Sequence, residues 1–171
     1  MNFVPDQQEA QRVPFFEDAK REDGWQGHTT TKNINTLKRE VEKALMLLGG
    51  IVVGFQQGKF VIDGQDRHGF QVHYAVAGMP ARLDIAALPV RDTWSTKKKE
   101  QSLKMSLYML ALGLNGAWLM KQLVPGLNPL IPMMLTDSGK TISQLWSEGS
   151  SMGKLLPAPN SDFEVIDAEE L

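Results

Sequence analysis

Three consecutive lysines, Lys97, Lys98 and Lys99, follow Ser95 and Thr96 in the stretch "DTWSTKKKEQSLKMSLYMLAL". Ser95 or Thr96 is a natural helix N-cap, so the lysines fall in the first turn of a helix. The helix dipole disfavours cations there by about 0.3 to 1 kcal/mol each. Free N–H groups beside lysine side chains are also a good acceptor for phosphate. The alternative is a solvated helix end whose electrostatic penalty is screened by salt. Lys104 continues the cluster along the helix, and Arg91 flanks it on the other side.

Other chemistries are thinly supplied. The histidines are His28, His68 and His73, and there is no cysteine. Disulfides, thiolate zinc sites and a cysteine nucleophile are therefore excluded. No G-x-S-x-G occurs, so a serine triad is not expected. The loop "DGQDRHG" offers Asp63, Asp66 and His68 to a cation. Aspartate and glycine are also what a tight turn needs, and the turn is the preferred reading. Gly139-Lys140-Thr141 lacks the upstream glycine and preceding strand of a phosphate loop. Asp84 is followed by "IAALPV", which supplies no second carboxylate for a metal nuclease. No enzymatic activity, metal or cofactor is expected.

Charge is unevenly spread. Residues 1–28 carry three bases and six acids, residues 29–121 thirteen and seven, and residues 122–171 two and seven. The segments have net charges of −3, +6 and −5, within a chain total of −2. A basic middle between acidic flanks is a recognised pattern for nucleic-acid contact or for an acidic interaction tail. The N-terminus has neither the basic nor the apolar region of a secretory signal. The longest apolar run, near residues 105–120, is interrupted by Ser106, Gly113, Asn115 and Gly116, so no membrane span is expected. A cytoplasmic protein is the expectation.

The elements that position these residues follow from periodicity. Residues 1–28 read as a mobile acidic arm, in which Phe15, Phe16 and Trp25 could dock on the domain or on a partner. Ile34, Leu37, Val41, Ala44, Leu45 and Leu48 have helical spacing, with Asn33 or Asn35 as cap and Gly49-Gly50 as stop. Three or four strands follow: "GIVVGFQ", "GKFVIDG", "GFQVHYAVAG" and "ARLDIAALPV". Phe70, Val72, Tyr74 and Val76 share one strand face, as do Leu83, Ile85 and Ala87, which predicts an antiparallel sheet with one packed face. A long helix begins near Ser95, with Leu103, Leu107, Leu110 and Leu114 as its core stripe and Gly113 and Gly116 as weak points. "VPGLNPLIPMML" predicts a turn and an apolar clasp, and Thr141 or Ser138 caps a short last helix. The expected fold class is a two-layer α+β domain over residues 29–149, α-β-β-β(-β)-α-α, with helices on one face of an antiparallel sheet. Residues 150–171 read as a linker and acidic tail containing Phe163.

Two resemblances bear on this layout. The run from Thr29 to about Trp146 resembles a group of short proteins of phages and prophages. It does so through "TTTKNINTLKREVEKAL", a strand ending in "ALPV", "KKKEQSLKMSLYMLALGL" and "LIPMMLTDSGKTISQLW". This resemblance implies origin and fold more than activity. The order α-β-β-β-α with a lysine-rich last helix also resembles double-stranded-RNA-binding domains. There, lysines at that helix start grip phosphates, and a histidine-bearing loop between the first two strands enters the minor groove. Lys97, Lys98, Lys99 and Lys104 match the lysine pattern, and "DGQDRHG" with His68 matches the loop. The small-residue run of those domains is replaced by "LKMSLYML", and the glycines before the lysines by "RDTW".

The leading expectation is a non-enzymatic nucleic-acid-associated accessory protein of a phage or mobile element. Lys97, Lys98, Lys99, Lys104, Arg67, His68 and Arg91 would contact DNA or RNA. The alternative is a protein-interaction module, an inhibitor or adaptor, using Phe15, Phe16, Trp25 and Phe163 on a host or phage protein. No membrane partner is expected.

Overall fold

The computed structural model describes residues 13–148 of the 171-residue chain. After two single-turn 3-10 helices, Phe16–Asp18 and Arg21–Asp23, the order is α1 (Ile34–Leu47), β1 (Gly50–Ile62), β2 (Gln65–Val76), β3 (Met79–Ala86) and α2 (Thr96–Leu123). A further 3-10 turn (Ile131–Met133) and α3 (Ile142–Ser147) complete it. The fold is α+β, with helices packed on a three-stranded antiparallel sheet of order β1-β2-β3.

The two hairpins are set by two-residue turns. Asp63 (φ 51°) and Gly64 (φ 75°) join β1 to β2; Ala77 (φ 49°) and Gly78 (φ 77°) join β2 to β3. Positive φ at both central residues gives the twist that antiparallel strands need. "GIVVGFQ" and "GKFVIDG", expected as two strands, are one, because Gly58 sits in mid-strand opposite Gly69 rather than in a turn. Only Asp63 and Gly64 of "DGQDRHG" turn; Gln65 to Gly69 belong to β2. The register slips once, between Val52 and Gly54. The extra residue of this bulge lets Val52 and Phe55, three positions apart, both pack against the core.

The core lies on one sheet face. Phe70, Val72, Tyr74 and Val76 of β2 meet Leu37, Val41, Ala44 and Leu45 of α1 and Leu103, Leu107, Ala111 and Leu114 of α2. Asn33 caps α1 by accepting from the Thr36 N–H at 2.8 Å. Neither Gly113 nor Gly116 breaks α2, which runs 28 residues. A glycine costs a helix about 1 kcal/mol, which burial of the flanking Ala111 and Leu114 outweighs. The clasp closes the core with Leu130, which is buried, and its following segment bridges Ala81 through Met134. Thr141 caps α3 in a reciprocal capping box with Gln144. Gln144 also donates to Asp84, itself paired with Arg82, so α3 is held at β3 rather than against the two long helices.

One core group is unbalanced. The Tyr74 hydroxyl is buried with no hydrogen-bond partner, and burial raises its pKa to about 12. Tyr74→Phe removes an unsatisfied polar atom, so it is expected to leave stability unchanged or increase it by up to about 1 kcal/mol in urea unfolding at pH 7. In the unfolded chain tyrosine ionises near 10, and the folded state resists ionisation until about 12. The contribution of Tyr74 is therefore complete below pH 10 and is lost as pH rises towards 12. The phenylalanine variant should lack that alkaline decline.

Candidate nucleic-acid interface

The basic end of α2 is positioned by the sheet. The Ala87 N–H donates to the His68 carbonyl at 2.8 Å, extending the β2–β3 pairing into the following loop. Ser102, in the first turns of α2, donates its hydroxyl to the Leu88 carbonyl at 2.8 Å. Gly69 is required where the strands crowd: a Cβ there would lie 2.0 Å from the Ile85 oxygen. These contacts bring the start of α2 beside the middle of the β1–β2 hairpin.

Ser95 is the N-cap of α2, accepting from the Lys98 N–H at 3.2 Å. Thr96 and Lys97 precede Lys98 in the first turn, and Lys99 follows. Lys99 and His68 line the same small cavity, of about 40 Å3, with Ala87 to Val90. Across the hairpin, Lys59 pairs in register with His68. The His68 pKa is lowered, first by burial and then by the charges of Lys99 and Lys59, which outweigh the attraction of Asp66. Lys97 and Lys99 have no ion-pair partner among the described residues. Lys59 has only an exposed contact with Asp66 at 3.4 Å. Beside them, Trp94 is 93% exposed, its N–H held by Asp92 Oδ1 at 3.2 Å.

The remaining residues named from sequence are placed differently. Arg67 donates through Nε to the Ala87 carbonyl at 2.9 Å and through a terminal nitrogen to the Ala86 carbonyl at 2.8 Å. Its guanidinium is spent on joining β2 to the loop after β3, which sets it apart from the lysines. Lys104 is largely covered and pairs with Glu100 at 3.4 Å. Arg91 pairs with Asp18 and stacks over the Phe15 ring, 5.0 Å from its centre. Phe163 lies outside the described residues.

Residues 13–28, expected as a mobile arm, lie along the domain. The Phe16 N–H donates to the Pro89 carbonyl at 2.8 Å, and its ring stacks with His28. Gln101 donates to the His28 carbonyl at 2.7 Å. Trp25 covers a cavity of about 280 Å3 lined by Arg67, Ile85, Met105, Met109 and Leu110. The docking is chemically specific, because Glu17 accepts from the N–H groups of Arg91 and Asp92 at 3.1 and 3.2 Å and lies 3.6 Å from Lys98 Nζ. Burial pushes the Glu17 pKa up, but these hydrogen bonds, one to its own N–H and the Lys98 charge together leave it lowered.

Sequence reasoning missed Lys59 and Trp94. Lys59 becomes visible by counting outward from the two-residue Asp63-Gly64 turn, which pairs residue 59 with 68. Trp94 precedes a helix cap, where an apolar residue more often packs on the helix it precedes; only the structure shows that it does not. Among the described residues, no group of three or more His, Asp or Glu side chains is placed to hold a metal ion. No described helix is long and apolar enough to cross a membrane. Compared with protein-family models, curated proteins and solved structures, the chain finds no match.

The Lys59–His68–Lys99 grouping predicts a specific titration. Replacing Lys99 or Lys59 by methionine should move the His68 pKa upward, towards the ordinary imidazole range, with the Lys99 change the larger. Following the imidazole resonances by NMR across pH measures this directly. An unmoved His68 would show that the three side chains are not grouped as described.

Proposed function

We propose that this protein is a non-enzymatic nucleic-acid-binding accessory protein, of a phage or other mobile element, that holds the phosphate backbone at the start of α2. The observation that carries the reading is the grouping of Lys99, which has no carboxylate partner among the described residues, with Lys59 and His68 from the hairpin, while Lys97, equally unpaired, is exposed in the same first turn of α2. Like charges gathered without counter-charge are costly, and an external anion relieves the cost. The free N–H groups at the start of a 28-residue helix add to the attraction. Trp94 supports the same reading, since an exposed indole three residues before Lys97 provides a face on which a base can stack. The α-β-β-β-α order makes duplex RNA the first probe to try.

The test is a fluorescence anisotropy titration with labelled single- and double-stranded RNA and DNA of equal length. Binding should weaken steeply with salt. Lys97→Glu with Lys99→Glu should reduce affinity at least about ten-fold and flatten the salt slope by about two. Far-UV circular dichroism should be preserved, because Lys97 is exposed and Lys99 half-buried at the helix start, outside the core. Trp94→Ala should weaken binding to single strands by roughly five- to a hundred-fold, from the loss of one stacked base, and to duplexes less. Absent or salt-independent binding with all four probes would defeat the reading.

The second reading, a protein-interaction module, retains one specific observation. Leu112, Leu119, Met120 and Leu123 of α2 are exposed together with Leu127 and Ile131 beyond it. Contiguous apolar surface of this kind marks contact sites. It would be read out by a stoichiometric protein complex that survives Lys97→Glu/Lys99→Glu and is lost in Leu119→Glu/Leu123→Glu.

A further inference from the structure

The N–H groups of Arg91 and Asp92 point at a carboxylate, with Lys98 Nζ approaching from the first turn of α2. Arg91 adds its guanidinium through the neighbouring Asp18. Two backbone donors and an ammonium meeting on Glu17, with a guanidinium on the adjacent Asp18, form an anion cradle ahead of a helix start. Its present occupants are the side chains of Glu17 and Asp18. We propose that Glu17 and Asp18 stand in for ligand phosphates in a cradle formed by Arg91, Asp92 and Lys98, and that nucleic acid must displace residues 13–28 to fill it. This inference rests on the nucleic-acid reading above and adds to it a second phosphate position and an internal competitor.

The contacts fit a replaceable occupant. Arg91 and Asp18 are both well exposed, as is Lys98 in part. The exposed Arg91–Asp18 pair shifts an equilibrium by up to about five-fold, while the more covered Glu17 is held by two backbone N–H groups as well as by Lys98. The segment is otherwise held by a backbone hydrogen bond from Phe16, by Gln101 donating to the His28 carbonyl, by the Gln26 N–H donating to the Met109 sulfur, by the Phe16–His28 and Phe15–Arg91 ring contacts, and by Trp25 over its cavity. A phosphodiester brings the same charge and matches the guanidinium fork as well as a carboxylate does. A strand carries several phosphates on one chain, so occupation of the cradle adds to binding at Lys97 and Lys99. The competition is between one tethered pair of carboxylates and a polyanion, and its outcome depends on salt and on ligand concentration. Two cationic groups of the site, Arg91 and Lys98, are thereby kept occupied while Lys97, Lys99 and Lys59 remain available for first contact.

The experiment uses the full chain and the same four labelled probes. Glu17→Ala with Asp18→Ala should tighten binding about three- to ten-fold at moderate salt. Addition of Arg91→Ala to that variant should remove most of the gain. A second measurement does not depend on affinity: Lys20 and Arg21 lie in the docked segment, so limited tryptic cleavage after them should accelerate when wild-type protein is saturated with the nucleic acid it binds. Melting curves of each variant establish that the fold is retained. Unchanged or weaker binding by the Glu17/Asp18 variant, or unchanged or slower cleavage in a wild-type protein that does bind, overturns the displacement while leaving the nucleic-acid reading in place. Failure of both wild type and variant to bind any probe overturns both. Binding by the variant alone would be the strongest form of the expected result.

Discussion

The fold depends on the packing of one stripe of α2. Leu103, Leu107, Ala111 and Leu114 must be buried against α1 and the central strand, and Leu107 and Phe70 are completely excluded from solvent. Each large apolar side chain so buried contributes roughly 1.5 to 3 kcal/mol. Rotating or sliding α2 by one residue would exchange this stripe for Lys104, Tyr108 and Leu112. The helix is therefore fixed in phase and in height, and Ser102 pins its first turns to the Leu88 carbonyl. With that settled, Lys97, Lys98 and Lys99 have only one place to be, at the end of the sheet where the β1–β2 hairpin brings Lys59 and His68. The electrostatic site is a consequence of apolar packing some 10 to 15 Å away along the helix.

The positive cluster is partly compensated, and the pattern of compensation is informative. Lys104 has Glu100 one turn before it, and Lys98 and Arg91 have Glu17 and Asp18. Lys97 and Lys99 have none among the described residues. His68 adapts by holding its pKa low, so that it adds little charge to the group near neutral pH. A purely structural helix start would be cheaper with acids in these positions, since carboxylates at an N-terminus gain what lysines lose. The domain instead borrows carboxylates from a segment more than seventy residues earlier in the chain.

Much of this was legible in the sequence. The helical spacing of Leu37, Val41, Ala44 and Leu45, and the alternation of Phe70, Val72 and Tyr74, identified α1, β2 and the face they share. Residue type narrowed the N-cap of α2 to Ser95 or Thr96, and the structure selects Ser95. The errors have physical causes. Gly58 looked like punctuation because glycine usually breaks a strand, but it sits in mid-strand opposite Gly69, the position where a side chain would strike Phe60 and the Ile85 oxygen. Gly113 and Gly116 looked like helix breaks because propensity is local, whereas the core on either side of them is not. What charge alone did not reveal is that Arg67 also donates to two carbonyls at the end of β3. Residues 13–28 read as an arm because their composition is polar and aperiodic. Nothing in that composition shows that Glu17 meets backbone N–H groups at residues 91 and 92.

The two halves of α2 do different work. Up to Lys104 the helix is charged, and its start joins sheet and loop. From Met105 to Leu123 the only charged residue is Lys121. The helix has 28 residues against 14 in α1, so α1 cannot cover it along its length. Leu112, Leu119, Met120 and Leu123 are consequently exposed, although they are as apolar as the core. The basic start and the apolar end are separated by roughly 30 Å of helix. An anion held at one end would leave the other free, so the two proposed contacts would not compete for one surface. A single rigid helix whose middle is anchored in the core can present both.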